Sequence, residues 1–114
     1  GMSNTLSIKI ADNTPQCTAV RMTTPSRNQT LHVDLAQTLT AMATCPAGSV
    51  PEYQFWVKQS GASSWTILPA YTTGSGSWTP PSTGTWAIRA VVRTTGSHVP
   101  YQIASGSVTV NVIP

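Results

Sequence analysis

Side chains able to do acid–base, nucleophilic or metal chemistry are scarce in this sequence: Asp12, Asp34 and Glu52, His32 and His98, and Cys17 and Cys45. General acid–base catalysis needs titratable groups placed to exchange a proton with the substrate, and nucleophilic catalysis needs a base beside the attacking atom. The three acids are isolated along the chain, neither histidine has an acid or nucleophile as companion, and no G-x-S-x-G elbow occurs. Cys17, Cys45, His32 and His98 are donors zinc accepts, but the short C-x-x-C or H-x-x-x-H pairs of structural zinc sites are missing. We therefore expect no enzyme, no metal site and no cofactor, with His32 a solvated strand residue and His98 a loop residue.

The cysteines have a different use. If residues 17–24 run antiparallel to residues 38–45 with Cys17 directly opposite Cys45, their Cα atoms fall within the range a disulfide spans. That pairing predicts a Cys17–Cys45 bond and an oxidising compartment, outside the cell or at its surface, with the periplasm included. The alternative is two buried free thiols in a reducing compartment. Asn28-Gln29-Thr30 fits an N-glycosylation acceptor, a pattern short enough to arise often by chance.

Binding chemistry is concentrated in "PEYQFWVKQSGASSWTIL", residues 51–68, which holds Tyr53, Phe55, Trp56 and Trp65. Residues on a strand alternate between faces. If Phe55 points into a core, Trp56 points out, beside Gln54 and Lys58. A neighbouring strand with Arg89 and Arg93 outward would add cations to that face. Trp56, Lys58, Arg89 and Arg93 are the candidate binding residues. Three uses are open to them: an indole covered by a guanidinium, a contact with a neighbouring domain or another protein, or a platform for a sugar ring that also draws on Trp65 and Gln54. Trp65 and Trp78 are expected to cover the ends of the core.

The elements that position these groups are legible from periodicity. Apolar residues alternate with polar ones in "LSIKI", "CTAVRM", "LHVDL", "TLTAMATC", "YQFWV", "SWTIL", "TWAIRAVVR" and "SVTVNVI". Turn clusters rich in Pro, Gly, Ser and Asn separate them, among them "DNTPQ", "CPAGSVP", "LPAYTTGSGS" and "TTGSHVP". Eighteen threonines suit a pleated surface, and only 8% of residues are charged, where an ordinary soluble domain has about 25%. Seven to nine short strands at this spacing predict an all-β antiparallel sandwich. Its facing stripes are Leu39, Ala41 and Ala43; Tyr53, Phe55 and Val57; and Trp86, Ile88, Ala90 and Val92.

The 114 residues fit one domain, with residues 1–15 expected as a loosely attached first strand. The net charge of +3 comes from dispersed Lys9, Arg21, Arg27, Lys58, Arg89 and Arg93, without the cluster that tracks a phosphate backbone, so no nucleic-acid partner is expected. No apolar run reaches the roughly 18 residues of a membrane span. Gly1-Met2 reads as a processing scar followed by a start residue, so the absence of a leader carries no information on destination.

"STGTWAI", residues 82–88, has the spacing of the tyrosine corner of immunoglobulin-like sandwiches. Trp86 stands where that motif has Tyr, and Ile88 where it has the second core cysteine, so the intersheet disulfide of antibody domains is missing. From Cys17 to about Val112 the chain resembles the immunoglobulin-like and triple-tyrosine-like β-sandwich repeats of bacterial secreted and cell-surface proteins. That resemblance implies a non-catalytic, monomeric structural or binding module. The competing expectation is a carbohydrate-binding domain that uses an exposed Trp.

Overall fold

Nine β-strands and no helix form among the described residues, 16–114, of the computed structural model. They are β1 (Ala19–Thr24), β2 (Thr30–His32), β3 (Gln37–Thr44), β4 (Pro51–Gln59), β5 (Thr66–Ile67), β6 (Gly76–Trp78), β7 (Gly84–Thr94), β8 (Ile103–Ala104) and β9 (Val108–Ile113). The first strand expected around Leu6–Ile10 lies outside the described residues. The larger sheet has the order β2-β9-β7-β4-β5, with β8 pairing the far end of β7. All its pairings are antiparallel except β2 with β9. The smaller sheet is β1-β3-β6, antiparallel throughout.

The period-two stripes become the core. β4 and β7 pair over nine residues, which sets Tyr53 against Val92, Phe55 against Ala90 and Val57 against Ile88. All six are buried, with Ile88, Ala90 and Val92 fully enclosed. From the smaller sheet Leu39 is fully buried, and Ala41 and Ala43 pack against the same cluster. Small residues facing large ones let the two sheets close without voids. Gly76 shows how tight the fit is, because a Cβ there would lie 2.8 Å from the Phe55 ring. Trp78 covers the end of the core, as expected. It meets Trp86 at 5.1 Å between ring centroids and 63° between planes, an edge-on contact that suits two aromatic quadrupoles.

Trp86 also does the work of the corner tyrosine. Its indole Nε1–H donates to the Ser82 carbonyl at 3.1 Å, tying the start of β7 to the chain just upstream. The corner needs a buried ring and one donor. An indole supplies both, so the lost hydroxyl is replaced rather than missed.

Cys17 and Cys45 are disulfide-bonded with Cα atoms 4.0 Å apart. The register expected for them is corrected by one residue. Ala19 opposes Thr44 and Val20 opposes Ala43, and a bulge after Met22 shifts the end of the ladder further. The bond still forms because the alternation breaks where the chain enters β1. Thr18 and Ala19 are both exposed in succession, which turns Cys17 inward to 4% exposure. A second correction concerns "LHVDL". Its strand ends at His32, Asp34 takes a left-handed φ of 63°, and Leu35 is 61% exposed instead of in the core. The Asp34 amide donates to the Pro80 carbonyl at 2.9 Å, so the chain turns here instead of extending the ladder.

Candidate functional site

The residues that alternate away from the core on β4 and β7 form the outward face of the larger sheet, and the register arranges them in cross-strand pairs. Trp56 opposes Arg89, Gln54 opposes Val91, and Glu52 opposes Arg93. All four sequence-predicted binding residues lie on this face. Side chains directly opposite on an antiparallel pair are close enough to interact, and here Trp56 and Arg89, and Glu52 and Arg93, do so by different chemistry.

Arg89 is the centre. Its guanidinium carbon lies 4.5 Å from the Trp56 ring centroid and 4.7 Å from that of Trp65, so one cation is shared by two indoles. Lys58 Nζ lies 5.1 Å from the Trp65 centroid. The Arg89 Nε atom is buried with no hydrogen-bond partner among the described residues. Trp56 Nε1–H donates to Gln54 Oε1 at 2.9 Å, and Gln54 Nε2 donates to the Pro69 carbonyl at 3.0 Å, which fixes the indole against the sheet. Each cation–π contact is worth about 0.5–1 kcal/mol where exposed and about 2 where desolvated.

Arg93 behaves differently although it sits on the same strand. Its Nε donates to Glu52 Oε2 at 2.5 Å, its Nη1 donates to the Val99 carbonyl at 2.9 Å, and its guanidinium carbon lies 3.8 Å from the Tyr71 ring centroid. Tyr71 in turn donates its hydroxyl to the Pro100 carbonyl. Burial pushes the Tyr71 phenol above its ordinary pKa, the Arg93 charge pulls it back, and Glu52 and Tyr101 add to the rise. Arg93 is thus a structural strut that holds the loop 95–102 over this end of the face. The same loop delivers Tyr101 edge-on to Trp56, at 5.7 Å and 89°. Val91 is fully buried despite its outward parity, because it lies between Gln54 and Ala104 under this end of the sheet.

Two participants, Tyr71 and Tyr101, fell outside the expected set, and Trp65, weighed both for the end of the core and for a sugar platform, lies on the outward side. Trp65 does not cover the end of the core: it precedes β5 and joins the outward face, stacked with Lys58 and Arg89. Tyr71 and Tyr101 come from segments that read as loops. The signal available for Trp65 was its parity with Ile67, which pairs with Trp56 and is 48% exposed.

Other features are chemically quiet. His32, on β2, and His98, in the loop after β7, are exposed. No group of three His, Cys, Asp or Glu that could hold a metal ion occurs among the described residues. A mostly apolar cleft of about 360 Å³ opens beside Phe55, Leu68, Pro69, Thr72 and Gly76, and its lining carries no titratable group. Among the described residues no helix is long and apolar enough to cross a membrane.

No family model matches the chain, and no curated protein matches it. One solved structure does: a chain from the fibronectin(III)-like modules of Clostridium thermocellum CbhA, with a TM-score of 0.52 and 14% identity, covering 82% of this chain and 94% of that one. At that identity the likeness speaks for the fold alone. It agrees with the two-sheet topology, and the chain has an immunoglobulin-like β-sandwich fold.

Proposed function

We propose that the chain is one non-catalytic binding module of an extracellular or cell-surface protein, and that the outward β4–β7 face, with Trp65 beside β5, is where it contacts a neighbouring domain or a protein partner. The observation that carries this reading is the Arg89 cluster: two indoles and two cations held in fixed positions on a sheet surface, outside the core. Aromatic side chains and Arg are the residues that most often anchor interfaces. The Cys17–Cys45 bond supports an oxidising destination. The fibronectin(III)-like likeness supports a module that works among other domains. Secretion and kinship with bacterial surface repeats belong to this proposal.

The sugar-platform reading is the weaker one because the indoles are already occupied. Arg89 lies over both Trp56 and Trp65, so a sugar ring stacking from that side must displace the guanidinium. The test sets wild type beside the Trp56→Ala/Arg89→Ala double variant on a glycan array and against a displayed peptide library. Peptide ligands lost in the double variant, without glycan ligands, are the expected result. Glycans that bind wild type and not the variant would move the assignment to carbohydrate. Ligands that bind both equally would move it to the loops.

A further inference from the structure

Lys58 on β4 and Arg89 on the adjacent β7 direct their charged ends to one ring. Lys58 Nζ is 5.1 Å and the Arg89 guanidinium carbon 4.7 Å from the Trp65 centroid. Like charges gathered this way repel, and the repulsion is relieved most directly by an anion between them. Among the described residues no acid forms an ion pair with either cation. Among the described residues the ion pair is Arg93–Glu52, which uses the acid nearest this face. Asp34 lies in the turn after β2, its backbone amide bonded to the Pro80 carbonyl.

The convergence point lies at an edge. β5 is the last strand of the larger sheet on that side, only two residues long, with Thr66 and Ile67 both exposed. A short, uncovered edge can take one more strand from another chain, which hydrogen-bonds by its backbone and presents alternate side chains to each face. The next strand would lie roughly 4.8 Å beyond β5, on the side of the sheet where Trp65 holds its contacts with Lys58 and Arg89.

Resting on the reading of this face as a contact surface, we propose that its partner is an extended acidic segment of a protein, added alongside β5, with a carboxylate held between Lys58 and Arg89 at Trp65. Ile67, exposed beside the same edge, gives that segment an apolar contact.

The test uses short fluorescein-labelled peptides of alternating Glu and Thr, Gln and Thr, or Lys and Thr, titrated with the whole chain by fluorescence anisotropy. The Glu peptide should bind about tenfold or more tighter than the other two, and binding should weaken about tenfold between roughly 20 and 200 mM salt. The Lys58→Gln/Arg89→Gln variant should lose that preference, while Arg21→Gln, on the outer face of the smaller sheet, should keep it. The charge preference and salt dependence of the wild-type chain need no variant to fold. Absence of binding by the Glu peptide, equal binding of the Gln or Lys peptide, or indifference to Lys58→Gln/Arg89→Gln would each overturn the proposal. Polygalacturonate binding at this face in place of the Glu peptide would overturn it too, in favour of an acidic sugar. A neutral library peptide lost in the Trp56→Ala/Arg89→Ala variant would remove the acidic partner and leave the contact face standing.

Discussion

The same two strands carry aromatic residues on both sides, and the two sides are built from different interactions. Inward, Tyr53, Phe55 and Trp86 meet Trp78, Ile88, Ala90 and Val92 in a closed apolar cluster. Outward, Trp56, Trp65 and Tyr71 meet Arg89, Lys58 and Arg93, and the rings stay partly exposed. Burial by area drives the first arrangement, and it rewards rings that exclude water. Electrostatic attraction to ring faces drives the second, and it works beside water. The inner cluster is therefore what makes the sandwich fold. The outer one adds little to folding, which leaves its residues free to be chosen for contact with something else.

Substitutions that separate the two sides test this contrast most sharply. Phe55→Ala should lower stability by about 3–5 kcal/mol, as truncation of a core aromatic does. Urea unfolding of the two variants should rank it well above Trp56→Ala, for which about 1 kcal/mol is expected on a partly exposed face. A reversed ranking would break the assignment of inside and outside on β4. Gly76→Ala approaches the inner cluster from the opposite sheet. Its methyl would press on the Phe55 ring, and about 1–3 kcal/mol should be lost to overpacking. The variant melting at the wild-type temperature would mean the two sheets can part without cost.

Trp86→Phe sharpens the inner side further. The ring stays apolar, but the donor to the Ser82 carbonyl is gone, and about 1 kcal/mol should follow. A neutral result would show that the corner is held by packing alone. Smallest of all, Arg89→Ala should cost about 0.5–1 kcal/mol. In the same unfolding assay that loss should shrink in molar salt while the Phe55→Ala loss does not. An Arg89→Ala effect as large as Phe55→Ala would place the outer cluster among the structural determinants.

The inner side was almost fully legible in the sequence, because period-two alternation over β3, β4 and β7 states which residues face together. The outer side was half legible. Parity alone gives Trp56, Lys58, Arg89 and Arg93, since they alternate with core residues on long strands. Trp65 was misplaced because its position depends on how β5 registers against β4, and a two-residue strand has no periodicity to reveal that. Tyr71 and Tyr101 were missed for a related reason. They sit in Pro- and Gly-bearing connections, and what brings them to the face is Arg93, which binds the carbonyl of Val99 and stacks on Tyr71. The disulfide was found with the register one residue off. Its geometry rests on the break at Thr18–Ala19, and alternation cannot predict its own interruption.

The Cys17–Cys45 bond also decides how the sandwich would carry load. It closes a covalent loop of sequence separation 28 that contains β1, β2 and β3. Tension applied at Cys17 and at Pro114 passes through the sulfur atoms to Cys45 and enters β4 directly. The β1–β3 ladder then lies outside the line of force. Reduction would return that loop to the line and release a further length of chain, roughly 90–100 Å when fully extended. In an extracellular protein pulled by its neighbours, this single bond would act as a mechanical fuse whose setting is written by the redox state of the surroundings.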